Sequence, residues 1–250
     1  LLSFSVLGIC VGLSAAAGAQ QSAPAGAAWG YYGKTGPLNW GKLDPAYSAC
    51  SKGKQQSPID ILGAKVDKAL QPIEFHYLSG PVKLLNNGHT VRIDVAPGSY
   101  IVFNGVRYDL VEFHFHHPAE DLVAGKLADL QIDLVHKSGD GHLAIIGVRV
   151  NEGAVNGSLA ALWPSLPQTP GATASLEDYF NPLGLLPPDR SYWTYLGSIT
   201  VPPCTEGVRW IAMQNSTELA QDQIQTFARL YPDDARQPQP LHGRKVAASP

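Results

Sequence analysis

The chain of 250 residues is 44% hydrophobic and only 16% charged, a globular composition that excludes a disordered protein. Its net charge of −3, with Lys and Arg scattered rather than grouped, excludes a basic surface for nucleic acid or for an anionic membrane. The 25 glycines and 20 prolines suit a β-rich fold with many turns better than a helical bundle.

Residues 1–19 differ from the rest. An apolar run from Leu1 to Leu13 leads into small residues ending Ala17-Gly18-Ala19, the A-x-A pattern of a signal-peptidase site before Gln20. The run is too short to span a bilayer, and Ile9 spoils Leu7-Gly8-Ile9-Cys10 as a lipobox. The expectation is a signal peptide, partial at its start, with no membrane anchor, and a periplasmic or secreted protein. Cys10 would leave with the signal. Cys50 and Cys204 remain, an even pair in an oxidising compartment. They read as a disulfide worth about 4–5 kcal/mol in the chain-entropy picture, with two buried thiols as the alternative. Residues 20–28 contain only Gln, Ser, Ala, Pro and Gly, a flexible leader. One folded domain is expected over 29–246, with 247–250 as a tail.

The domain opens on aromatic packing material, Trp29-Gly30-Tyr31-Tyr32 and Trp40. From Pro72 to Val150 the pattern is mostly period two, broken by turns. Asn87-Gly88 precedes a strand over His89–Val95. Asn104-Gly105 joins strands Tyr100–Phe103 and Val106–Leu110, because both turn residues tolerate positive φ. The strand continues as Val111-Glu112-Phe113-His114-Phe115-His116. Alternation puts Val111, Phe113 and Phe115 on a core face, and Glu112, His114 and His116 on the other. Two imidazoles two residues apart can share one metal ion, and Glu112 and Glu120 offer partners for their outer N–H groups.

Strands follow at Gln131–His136 and Leu143–Val150. If the first pairs antiparallel with the histidine strand, Gln131, Asp133 and Val135 join the metal-facing side and His136 points away. Two imidazoles and a carboxylate are a valid zinc set with a fourth position open. Residues 164–190 are irregular, with a short helical turn near Ser175–Tyr179 suggested by the capping-box spacing of Ser175 and Asp178. Strands are expected at Tyr192–Thr200 and Val208–Met213. Ala220, Ile224, Phe227 and Tyr231 mark one amphipathic helix before Pro232. The fold class is mostly β (α+β): a single domain on one large, twisted, mostly antiparallel sheet with a few short peripheral helices.

Several stretches occur together and in one order: Gln56-Ser57-Pro58-Ile59-Asp60, Leu85-Asn86-Asn87-Gly88-His89, Glu112-Phe113-His114-Phe115-His116, Tyr192-Trp193-Thr194-Tyr195-Leu196-Gly197-Ser198, Thr200-Val201-Pro202-Pro203-Cys204 and Gln239-Pro240-Leu241. In these the chain closely resembles an α-class carbonic anhydrase over essentially the whole domain. The resemblance implies a zinc ion (Zn2+) in a central cone and reversible hydration of carbon dioxide to bicarbonate and a proton. His114 and His116 would be ligands, and His89 the proton shuttle. Thr200 would accept a hydrogen bond from the zinc-bound hydroxide, and Glu120 would orient Thr200. Glu112 would support His114. Ile145, Ile199 and Trp210 would wall the carbon dioxide pocket, with Val201 adding a methyl surface. Tyr31 and Asn87 would line the water network, and Cys50 and Cys204 match the bridge of exported members. Carbon dioxide and bicarbonate would be the partners of a monomer or homodimer, without nucleic acid.

One residue departs from the pattern. Asp133 stands where the family's third zinc-ligand histidine belongs. An aspartate oxygen lies two bonds beyond Cβ, as does the nearer ring nitrogen of histidine, so the reach is comparable. Gln131 fits the exchange, because its amide can donate to the outer oxygen of Asp133. The carboxylate offsets part of the zinc charge, so the expectation is a raised pKa for bound water and slower hydration near neutral pH. The competing expectation is a carbonic anhydrase-like binding protein without catalysis.

Overall fold

The computed structural model of the protein describes residues 27–250, apart from the side chains of Asp178 and Tyr179. The signal expected over 1–19, and all but the last two residues of the leader over 20–28, lie outside the described residues.

Period-two patterning builds one mixed sheet, with 13 strands among the described residues. Its path runs Thr173–Phe180, Gly80–Asn86, Val91–Val95, Val106–His116, Leu130–Ser138, Leu143–Glu152, Glu206–Met213, Tyr192–Ser198, Ala247–Ala248 and Lys65–Val66. Within it, Leu143–Glu152 runs parallel to Glu206–Met213 and to Thr217–Leu219, and Ala247–Ala248 runs parallel to Lys65–Val66. The remaining pairings are antiparallel. The Asn104-Gly105 hairpin forms as its residues require, with φ of 49° and 77°.

The central strands are covered on both faces. Phe113, Phe115, Leu130, Ile132, Leu134, Ile146 and Val148 form one core. Ile59, Ile145, Tyr195, Val208 and Trp210 form another across the sheet. Consecutive Ile145 and Ile146 fall in different cores because side chains alternate across a strand. Each such side chain contributes about 1.5–3 kcal/mol when fully buried. The expected helix is present as Gln221–Leu230. It buries Ile224 and Phe227, and the Phe227 ring lies 5.4 Å from that of Phe115. No helix among the described residues is long and apolar enough to cross a membrane.

Three expectations are corrected. Val111 does not share the face of Phe113 and Phe115. The register slips between Leu110 and Glu112, so Val111 bulges out and is 45% exposed while Leu110 takes the core position. Residues 175–179 form no helical turn: Thr173–Phe180 is a strand that pairs antiparallel with Gly80–Asn86. Ala174 and Leu176 pack on the core between exposed Thr173, Ser175 and Glu177, and that alternation outweighs the local capping signal. Residues 247–250 are not a free tail. Ala247 and Ala248 pair with Thr194 and Trp193, and Tyr192 N–H donates to Ser249 Oγ at 2.9 Å.

Candidate metal centre

Two adjacent strands build the centre. Val106–His116 and Leu130–Ser138 pair so that His114 sits opposite Asp133 and His116 opposite Gln131. The side chains of Phe113, Phe115, Ile132 and Leu134 are anchored on the far face. That anchoring fixes which side chains the near face presents.

Each histidine has one ring nitrogen committed. His114 Nδ1–H donates to the Glu112 carboxylate, at 3.2 and 3.1 Å from its two oxygens. His116 Nδ1–H donates to the backbone carbonyl of Asp234 at 2.7 Å. The Nε2 atoms are left facing Asp133 Oδ2, at 4.0 Å from His114 and 3.8 Å from His116. His116 Nε2 is buried without a hydrogen-bond partner. The three donor atoms all lie within 4.8 Å of one another. Zinc–nitrogen and zinc–oxygen bonds of about 2.0–2.2 Å let one ion reach donors about 4 Å apart. The unpartnered imidazole nitrogen, the facing carboxylate oxygen and the outer N–H partners together fit a divalent metal.

The other oxygen of Asp133 is held by Gln131, whose Nε2 donates to Oδ1 at 2.7 Å. The amide cannot turn over. Its Oε1 accepts from the N–H groups of Glu120 and Asp121 at 3.2 and 2.9 Å. Gln131 and Asp133 are both buried, so the chain of contacts from backbone to amide to carboxylate is shielded from water.

The charges respond to this crowding. Burial opposes a charge on His114, but Glu112, Asp133 and Glu120 outweigh it and raise the pKa to about 9. Burial pushes His116 down. Burial also pushes Asp133 well up, against the pull of His114. Asp121, buried and next to Glu120, is raised to about 7. Its Oδ1 accepts from Ile59 N–H and Tyr195 O–H at 3.3 Å each, and its Oδ2 has no partner.

The remaining sequence candidates surround this group. Glu120 is buried, with Oε1 accepting from Arg236 N–H at 3.0 Å. Its Oε2 has no hydrogen-bond partner and lies 3.6 Å from His116 Nε2. The expected Thr200–Glu120 hydrogen bond is therefore not made at that oxygen. Thr200 is buried just past the end of strand Tyr192–Ser198, in the segment leading to Cys204. Ile145, Trp210 and Ile199 pack together, with Ile145 paired to Trp210 across the parallel strands. Half-buried Val201 follows in the Thr200–Cys204 segment.

His89 lies just before strand Val91–Val95, not inside it. Its ring stacks on Trp29 at 3.7 Å and 7°, and burial lowers its pKa. Asn87 Oδ1 accepts from the N–H groups of His89 and Thr90 at 2.8 Å each, so Asn87 fixes the turn that carries His89. Tyr31 packs on Trp29 and Trp40. Cys50 and Cys204 are bonded, with Cα atoms 5.0 Å apart, and tie the Thr200 segment to the aromatic cluster around Trp40.

Val135, placed by alternation on the Asp133 face but given no role, packs with Ile145 and Ile199. Two other participants were missed. Trp29 was read as packing, yet it carries His89. Asp234 serves His116 through a backbone carbonyl, for which no residue type is diagnostic.

The sequence model of the family described as eukaryotic-type carbonic anhydrase matches residues 35–250. A carbonic anhydrase of Nostoc sp. is 39% identical over 223 residues, covering 87% of this chain and 84% of that protein. One from Klebsiella pneumoniae is 38% identical over 221 residues, covering 87% and 89%. The solved α-carbonic anhydrase of Thermovibrio ammonificans, in complex with the inhibitor sulfanilamide, superposes with a TM-score of 0.86 at 40% identity, covering 89% of this chain and 100% of that one.

Proposed function

Because the chain belongs to the α-carbonic anhydrase family, we propose that it hydrates carbon dioxide reversibly at a zinc ion held by His114, His116 and Asp133. The observation that carries this reading is the convergence of three donor atoms, one of them the buried and unpartnered His116 Nε2, on one point. The ion's contribution when bound is Lewis-acid activation of water.

The protein's residues do the rest. Glu112 and the Asp234 carbonyl fix both imidazoles with Nε2 inward. Gln131 holds Asp133 by Oδ1, leaving Oδ2 to face the two Nε2 atoms, where it would serve as the third donor. Ile145, Ile199, Val201 and Trp210 offer carbon dioxide an apolar wall that competes for none of its polarity. Thr200 orients the attacking oxygen, and Glu120 Oε2, which carries no hydrogen bond, is the acceptor that the Thr200 hydroxyl would donate to in the working site. His89, held by Asn87 and stacked on Trp29, moves the released proton to buffer. Asp133 brings a negative charge into the donor set, which weakens the activation of water. The rate is therefore reduced near neutral pH and rises in the alkaline range.

The disulfide and the signal-like sequence over 1–19 support export to the periplasm or beyond, and the protein works as a monomer or homodimer. Stopped-flow carbon dioxide hydration with zinc supplied tests the activity. A rate that rises with pH and disappears with chelator supports it. A flat baseline in a protein that binds no metal favours the alternative, a binding protein without catalysis, for which Asp133 is the supporting observation.

A further inference from the structure

Resting on this reading of the centre, we propose that Asp133 makes it a two-histidine, one-carboxylate site that takes up Fe(II) in competition with Zn(II). Three observations carry this. The donors are two imidazole nitrogens from one strand face and one carboxylate oxygen from the strand opposite. Two imidazoles and one carboxylate within 4.8 Å of one another are the donor set associated with non-haem Fe(II). Next, the surroundings are rich in anionic oxygen. Glu120 Oε2 is buried, unpartnered and 3.6 Å from His116 Nε2, and Glu112 backs His114. Finally, no soft donor competes, because the two cysteines among the described residues are bonded to each other.

Zinc, a borderline-soft ion, gains most from imidazole and thiolate, whereas carboxylate oxygen suits harder ions. Exchanging an imidazole for a carboxylate therefore narrows zinc's lead over ferrous iron. The outer contact reinforces the exchange, since Gln131 donates to Asp133 Oδ1 and so supports a carboxylate at this position.

The test is competitive metal uptake, read as metal content and not as activity. Apoprotein is dialysed anaerobically against equal concentrations of Fe(II) and Zn(II), and bound metals are counted by mass spectrometry. The same is done for the Asp133→His/Gln131→Glu double variant. The expected result is a bound Fe:Zn ratio at least about tenfold higher in the unaltered protein, the scale on which metal-site contacts act. Equal ratios, or exclusion of iron from the unaltered protein, overturn the inference and leave a zinc enzyme standing. Binding of neither metal overturns both. Should the double variant fail to fold, Asp133→Cys supplies the comparison: it keeps an anionic ligand of similar size but makes it soft, and its Fe:Zn ratio should fall by a similar factor or more. An unchanged ratio there also overturns the inference.

Discussion

Replacing Gln131 by glutamate should have opposite effects on metal binding according to what stands at position 133. The Gln131 amide is locked, with Oε1 accepting two backbone N–H groups at 3.2 and 2.9 Å and Nε2 donating to Asp133 Oδ1 at 2.7 Å. A glutamate keeps the two backbone contacts but turns a second carboxylate oxygen toward Asp133 in a buried pocket. The hydrogen bond lost has a charged acceptor, worth about 1.5–3 kcal/mol. At about 1.4 kcal/mol per factor of ten, that weakens metal binding about 10- to 150-fold. In an Asp133→His background the logic inverts. A histidine bound through its nearer nitrogen presents an outer N–H to the locked amide, donor against donor, and glutamate relieves this by accepting. Asp133→His alone should therefore leave a poorly supported ligand, and the double variant a well-supported one. The assay is a competition titration against a chromogenic chelator at pH 8 for the four proteins of the cycle. The expected coupling is at least about 3 kcal/mol, at the upper end for residues in contact. If Gln131→Glu changes affinity by the same factor in both backgrounds, the locked-amide reasoning is wrong.

Metal uptake should release a proton from His114, whose pKa in the metal-free fold is about 9. Zinc affinity measured by chelator competition should then rise about tenfold per pH unit from pH 7 toward 9 and level off above. The stability that this proton lends the metal-free protein is fully present below the ordinary value of 6.5 and is lost as pH rises through about 9. Asp121 obeys the same sign, its contribution complete below 3.8 and lost as pH rises through about 7. Asp121→Asn should therefore gain on the unaltered protein by about 3 kcal/mol between pH 5 and pH 8 in urea denaturation, and a pH-independent difference would refute this. His89→Ala should slow turnover at low buffer concentration, with the rate recovered by added imidazole; a rate indifferent to buffer would remove His89 from the proton path. Reduction of the Cys50–Cys204 bridge, which closes a separation of 154 residues, should lower stability by about 5 kcal/mol, measured with and without reductant.

Much of the centre was legible because strand periodicity states which side chains share a face. Phe113 and Phe115 against His114 and His116 gave the face on which the three donors gather, and the parity of Gln131, Asp133 and His136 put Asp133 on it. His136 does lie on the far side, buried, with its Nε2 2.7 Å from Tyr77 Oη. The same rule failed at Val111, because a bulge resets parity without leaving a mark in composition. At 173–180 a capping-box spacing spoke for a helix, and the alternation of Ala174 and Leu176 with their exposed neighbours, together with a pairing partner 88 to 100 residues earlier, decided for a strand. Contacts made by backbone atoms, such as Asp234 O on His116, are not written in residue types at all.

The order of strands also has a kinetic meaning. His114, His116, Asp133, Glu112 and Gln131 all lie on two neighbouring strands of one antiparallel run from Val91 to Glu152, whose pairings close over short sequence distances. The Asp234 carbonyl that fixes His116, the Thr200 segment and Trp210 all come from later in the chain, and Glu206–Met213 enters parallel to Leu143–Glu152 without a hairpin. Local pairings form faster than distant ones. The candidate donors are thus assembled in a folding chain before the groups proposed to make the centre catalytic, so an ion present at that moment would meet a binding surface ahead of an enzyme.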